Sequence, residues 1–278
     1  MRTPWGLLRA SHPEPGAAVT AAAILLAIGA GHDAAGAALV GLTVLATQLA
    51  VGWTNDWLDA DRDKLVARSD KPVATGAVSR RAVGIAGLIA AVATPVVGLT
   101  LGLPAATAIT AALVSALLYN WPLKFTPASV LPYAFSFGTL PAFVILALPD
   151  APRPPLWIVA AGGLLGAGAH FANVLPDLGD DARTGVRGLP HMIGPAWSRA
   201  AAAGLLFGAT LTLVFGPPGR PSWYGVAAIA AAVLVLTAGW YAGRLASSRG
   251  ARPVAVFRAV LVVALIDVVL LITSGRVV

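Results

Sequence analysis

The chain has no cysteine, so disulfides, thiolate metal sites and a cysteine nucleophile are excluded, and its redox compartment stays open. It is also poor in charge. Charged residues make up 11% of its 278 positions, where a soluble domain carries about 25%. The basic residues are not interleaved with aromatic ones as on a nucleic-acid surface, so no nucleic-acid partner is expected, and nothing points to an obligate protein partner. Arg2 and Arg9 precede an apolar stretch in the manner of a signal peptide, but no small-residue cleavage site with a soluble mature chain follows. That stretch is read as a retained helix.

What is present is apolar sequence: 58% of residues are hydrophobic and the mean hydropathy is +0.80. Apolar stretches run at about 16–31, 35–54, 82–101, 104–121, 128–148, 156–175, 199–216, 222–243 and 254–273. Most approach the ~20 residues needed to cross the hydrocarbon core. An odd number of spans fixes which loops share a side with the N-terminus. Of the 19 Lys and Arg, only Arg153, Arg220 and Arg276 fall opposite it, which places the N-terminus in the cytoplasm. The expectation is an all-α integral membrane protein of nine transmembrane helices, a single domain over 1–278. An Ala-, Gly- and Arg-rich composition suggests a high-GC bacterium and hence the plasma membrane.

Into this apolar chain a polar pattern is set twice: Asn55, Asp59, Asp63, Pro72, Gly76, then Asn173, Asp177, Asp181, Pro190, Gly194, 118 residues on with the same spacings. Eight of the 12 acidic residues sit in these places: Asp56, Asp59, Asp61, Asp63 and Asp70, then Asp177, Asp180 and Asp181. Each copy ends an apolar stretch, with four spans from one to the next, so both face the cytoplasm. The bundle is thus a parallel repeat of two four-helix halves plus a ninth helix.

Residues at i, i+4 and i+8 share one helix face. Asn55, Asp59 and Asp63 form one stripe. Asn173, Asp177 and Asp181 form another, where Pro176 predicts a kink or a loosened last turn that aims the carboxylates inward. Grouped carboxylates repel unless a cation joins them, and oxygen ligands without His or Cys suit hard cations such as Mg2+. Arg68 and Lys71 follow the first stripe, Arg183 and Arg187 the second, and Lys124 ends the fourth span on the same side. Metal-holding carboxylates ringed by Arg and Lys are what a diphosphate requires. Arg80, Arg81, Arg244, Arg249 and Arg252 need no role beyond topology.

The stripes resemble the UbiA superfamily of intramembrane prenyltransferases. The first motif stands as Asn55-Asp56-Trp57-Leu58-Asp59-Ala60-Asp61-Arg62-Asp63 and the second as Asp177-Leu178-Gly179-Asp180-Asp181, preceded by Asn173 where many relatives have Asp. A basic-Pro-x-x-x-Gly tail, Lys71-Pro72 to Gly76, and Tyr119-Asn120-Trp121-Pro122-Leu123-Lys124 extend the likeness. It implies a UbiA-type fold and Mg2+-assisted ionisation of an allylic prenyl diphosphate. It further implies a small acceptor, aromatic or lipophilic, of 4-hydroxybenzoate or quinone-precursor type.

Residue by residue, the resemblance implies that Asn55, Asp59, Asp177 and Asp181 hold metal, with Asp56 and Asp63 completing the first site and Asn173 ranked below. Arg68, Lys71, Lys124, Arg183 and Arg187 are the candidate diphosphate contacts. Asp59, Asp63, Asp177, Asp181, Lys124 and Tyr119 are the candidate catalytic groups. By the same resemblance Tyr119 would orient the acceptor or stabilise the cation, although it stands five positions before Lys124, a spacing that does not share a helix face through Pro122. Two alternatives stand beside this: a UbiA-type terpene cyclase, and a cation-coupled carrier using the stripes as ion sites.

Other candidates read first as structural. His170 is a hydrogen-bonded helix histidine or a contact to the acceptor, and His191 a loop histidine or part of a lid. Asp267 lies inside the ninth span, where an ionisable group is expensive, and is assigned a hydrogen bond within the bundle. Trp53, Trp57, Phe125, Phe135, Phe137 and Phe143 are packing or interfacial residues or line a prenyl tunnel, with Trp57 singled out by its place in the first motif.

Overall fold

The computed structural model describes residues 3–250 and 254–274. Its helices are α1 (Thr3–Ala10), α2 (Pro13–Gly29), α3 (Ala34–Leu65), α4 (Arg80–Leu99), α5 (Leu103–Asn120), α6 (Val130–Leu146), α7 (Leu156–Val174), α8 (Leu178–Arg183), α9 (Leu189–Phe215), α10 (Trp223–Ser248) and α11 (Val254–Ser274). Among the described residues, eight are long and apolar enough to cross a membrane, and α2 is a shorter apolar helix. The protein is all-α and multi-pass, as its hydropathy predicts. α1, with eight residues, is too short to register in hydropathy.

The helices start where the local chemistry allows. Asp33 accepts from Gly36 N at 2.7 Å ahead of α3, and Ser79 from Ala82 N at 3.1 Å ahead of α4, each satisfying a first-turn amide. α3 has 32 residues, about 48 Å, against a hydrocarbon core of about 30 Å. Its last turns therefore stand beyond the apolar layer, and they carry the first motif.

The two halves repeat the same order of neighbours. α2 packs on α3, α3 on α4 and α4 on α5, while α6 packs on α7, α7 on α9 and α9 on α10. α5 joins α6, and α11 packs on α10 and returns to α2, closing the ring. α6 and α7 approach closely because Gly162 and Gly166 face the carbonyls of Phe137 and Tyr133, where any side chain would run into backbone. The repeat extends past the acids. Gly76 and Gly194 both take positive φ, 73° and 78°, a conformation glycine adopts without steric cost. Gly194 kinks α9, which begins at Leu189 rather than at the span boundary near 199.

The second stripe is interrupted at Pro176, where a kink or loosened last turn is expected, and the interruption is a full break between helices. α7 ends at Val174, residues 175–177 form a turn, and α8 begins at Leu178. Pro176 has no amide to donate, so the helical ladder stops there. Asn173 thus lies in the last turn of α7, Asp177 caps α8 from the turn and Asp181 lies on α8, so the three do not share one continuous helix face.

Candidate active site

A cavity of about 840 Å³ opens among α2, α3, α5, α6, α7 and α11. All six stripe residues line it: Asn55, Asp59 and Asp63 from the first motif, Asn173, Asp177 and Asp181 from the second. Arg68, Lys71, Lys124 and Tyr119 line it too. Three of the candidates do not. Asp56 lies behind the wall at 1% exposure. Arg183 turns outward and donates to Asp180 at 2.5 Å, and Arg187 is exposed off the wall.

Four cations on the wall, Arg62, Arg68, Lys71 and Lys124, are each paired with a carboxylate, while Arg9 donates to the Asp70 carbonyl. Lys124 Nζ donates to both Asp59 oxygens, at 2.5 and 2.7 Å. Burial lowers the Lys124 pKa, and the Asp59 carboxylate opposes that effect. Arg68 donates to Asp177 at 3.1 Å and to Asp70 at 2.8 and 2.7 Å. Its bonding to Asp70 raises its pKa against the cost of burial, and Asp177 adds to the rise. Lys71 donates to Asp56 Oδ1 at 2.7 Å. Asn55 donates to Asp59 Oδ2 at 3.1 Å and to Asn120 Oδ1 at 3.4 Å.

Tyr119 and Lys124 reach the same cavity because α5 ends at Asn120 and Lys124 sits in a separate 3-10 turn, Leu123–Phe125. Their spacing is therefore no obstacle.

Sequence patterns missed several members of the site. Arg62, which topology alone accounted for, donates to Asp59 at 2.8 Å and to Asp181 at 3.1 Å. Its i+3 spacing from Asp59 was the available signal. His12 Nε2 lies 2.9 Å from Asp56 Oδ1 and 3.1 Å from Lys71 Nζ. No local pattern marks it, since it sits at the start of α2, far along the chain. His191, named as a loop or lid histidine, stands instead in the first turn of α9, with Nε2 3.2 Å from Asp181 Oδ2.

α1 belongs to the site through its contacts. Trp53 Nε1 donates to Leu7 O at 2.8 Å, Arg9 to Asp70 O at 3.4 Å, Gly6 abuts Ala77 and Val78, and Gly52 abuts the Ser11 backbone.

Below the ions the cavity turns aromatic, then aliphatic. Tyr119 stands edge-on to Tyr133 at 4.8 Å and to His170 at 5.5 Å, and Phe137 stacks on Tyr133 at 6.1 Å. Tyr133, absent from the candidates, also accepts from Asn173 Nδ2 at 3.2 Å. His170 bonds Ser129 Oγ at 3.0 Å, and Asp267 accepts from Thr210 at 2.9 Å, the structural bonds expected of them. Trp57 is off the cavity, half-exposed beneath Arg80 and against Gly84. Trp53 anchors α1, Phe143 is core, Phe135 faces outward, and Phe125 lies under Arg62 and Lys124.

The donor set suits Mg2+ chemically: oxygen ligands from both halves face one cavity. Among the described residues no three acidic or imidazole groups converge on a single point, because Arg62 and Lys124 lie among the carboxylates. The fit is one of exchange, in which a metal takes carboxylates that the chain's own cations now hold.

Comparisons with known proteins concern the fold. A UbiA homolog from Archaeoglobus fulgidus bound to GPP and Mg2+ superposes with a TM-score of 0.70 at 17% identity, over 97% of this chain and 98% of that one. The same homolog bound to Cd2+ gives 0.68 at 15%, over 96% and 98%. A digeranylgeranylglyceryl phosphate synthase gives 0.69 at 17%, over 99% of each chain. At such identities the likeness is one of fold. No curated protein matches the sequence significantly. The profile of the UbiA prenyltransferase family, however, matches residues 17–263, nearly the whole chain, and the chain belongs to that family.

Proposed function

We propose that the cavity binds an allylic prenyl diphosphate with Mg2+ and transfers the prenyl group to a small lipophilic acceptor. The observation that carries this is the pairing of four wall cations with acids, Lys124 with Asp59, Arg68 with Asp177, Lys71 with Asp56 and Arg62 with Asp59 and Asp181. A diphosphate accepts those cations as the carboxylates pass to metal. Asn55, Asp59, Asp63, Asp177 and Asp181, with Asn173 beside them, would hold Mg2+, which when bound neutralises diphosphate oxygens and eases departure of the leaving group.

The chain's own residues do the rest. Arg68, Lys71 and Lys124 would bind the diphosphate and stabilise the charge that develops on it. Asp56 and His12, behind and beside Lys71, hold its ammonium at the wall. The prenyl tail follows the cavity into the bilayer. Along α3 the wall runs from Asp59 to Val44, 15 residues or about 22 Å. Tyr119, Tyr133 and Phe137 offer ring density to a developing cation, and they flank the place where an acceptor would approach.

An aromatic acceptor remains our preferred class because of this ring cluster, although one relative of the same fold is a digeranylgeranylglyceryl phosphate synthase, whose name specifies no aromatic ring. The whole chain acts as one membrane unit, with the site and N-terminus on the cytoplasmic face of the plasma membrane, as the basic loops favour.

The test is turnover of a series of allylic prenyl diphosphates against aromatic and glyceryl acceptors, with products read by mass spectrometry. Diphosphate release should require Mg2+, and Asp59→Ala and Asp181→Ala should each lower it more than about a hundredfold, beyond the loss seen for outer-shell groups. Turnover retained in the double variant overturns the assignment. Terpene released without any acceptor assigns the cyclase reaction instead.

A further inference from the structure

Arg62 joins Asp59 inside the first motif to Asp181 of the second, and Arg68 makes a similar link from Asp70, beyond the motif, to Asp177. Arg62 Nη1 donates to Asp59 at 2.8 Å and Nη2 to Asp181 at 3.1 Å. Asp59 rides α3 and Asp181 rides α8, so the two bonds tie the halves of the repeat together across the cavity. The guanidinium carbon lies 5.7 Å from the centroid of the Phe125 ring, and Nε is buried without a hydrogen-bond partner. Position 180, the counterpart of 62 in the second copy, is Asp180, so Arg62 has no counterpart there.

We propose that Arg62 is a positioning residue that stands in for the divalent metal, holding Asp59 and Asp181 together before the ion arrives and yielding them when it binds. The inference rests on the functional reading above. Its physical basis is competition. Two carboxylates facing one gap repel, and a single planar guanidinium whose two ends reach both relieves that repulsion while keeping them at a common spacing. A metal must displace those bonds, so its apparent affinity is lowered by whatever the bridge contributes to the metal-free state. Removing the bridge therefore weakens the metal-free protein and tightens metal binding, the opposite of what loss of a metal-supporting group does. Lysine keeps the charge but is a point donor that lacks the two-ended fork. It separates bridging from simple charge repulsion of the ion.

The experiment compares wild type, Arg62→Gln and Arg62→Lys in lipid nanodiscs. Free Mn2+ is followed by electron paramagnetic resonance, with inorganic diphosphate present, and thermal unfolding is followed in chelator and in saturating Mn2+. The expected result is Mn2+ binding about tenfold tighter in both variants, the equivalent of one charge-assisted contact. Unfolding temperatures should be lowered in chelator and equal to wild type in Mn2+. Should Arg62→Gln not fold, Arg62→Lys carries both measurements.

Binding unchanged or weaker in the variants overturns the inference, as does Arg62→Lys behaving like wild type, which assigns the effect to charge alone. If wild type itself binds no Mn2+, the metal-site reading falls with it. The two failures are thereby distinguishable.

Discussion

In the first motif Asn55, Asp59 and Asp63 follow one unbroken helix, α3, whereas in the second Pro176 parts Asn173 on α7 from Asp177 and Asp181 at the head of α8. The spacing is identical and the backbone is not. The cations differ as well. Positions 118 residues beyond Arg68 and Lys71 hold Val186 and Leu189, and Arg183, the basic residue that follows the second stripe, pairs outward with Asp180. The second motif thus borrows its arginines, Arg62 and Arg68, from the first half. Duplication copied the acids, while the basic wall stayed with one copy. The two halves make one asymmetric site rather than two equivalent ones.

The most damaging way to break this comparison is to give the first motif the second one's interruption. Leu58 occupies the position equivalent to Pro176. Leu58→Pro should cost about 3 kcal/mol or more, the price of proline inside a helix, and denaturant unfolding in detergent should show it together with lost turnover. The reverse change, Pro176→Leu, allows α7 to run on and swings Asp177 and Asp181 away from the cavity. It should lower kcat about tenfold to a hundredfold, as expected when reacting groups are misplaced by an ångström or so, with the unfolding temperature unchanged or higher. If kcat survives, the break at Pro176 does not aim the acids. The smallest effect tests the cations. Arg183→Ala should leave the KM for prenyl diphosphate within about twofold, as befits an exposed ion pair, while Arg68→Ala raises it about tenfold or more. Equal effects would restore a symmetric site.

Much of the fold was legible because its signals are periodic and local. Apolar runs of membrane length, the basic bias of alternate loops and an acid pattern repeated at a fixed offset each survive without any knowledge of contacts. The turn glycines, Gly76 and Gly194, were legible for the same reason. What escaped depends on meetings between distant segments. His12 acquires its place only when α2 brings it to Asp56 and Lys71. Arg62 lay inside the first motif yet counted as one more cytoplasmic cation, because its second partner, Asp181, comes from the other half. Helical spacing taken alone would overstate the second stripe, and Pro176 is the residue that marks its break. The i, i+4 rule presumes an unbroken helix, and Pro176 removes the amide that would continue it.

The short helix ahead of the membrane region has a practical consequence. Leu7, Arg9, Ser11 and His12 reach, respectively, Trp53, the loop carrying Asp70, Gly52 and Asp56, so this segment is mortared into the wall behind Lys71. An affinity tag or fusion partner joined ahead of Met1 would pull on that masonry. A weakened diphosphate KM in such a preparation would be a handling artefact of the tag, recognisable because moving the tag to the other end of the chain restores it.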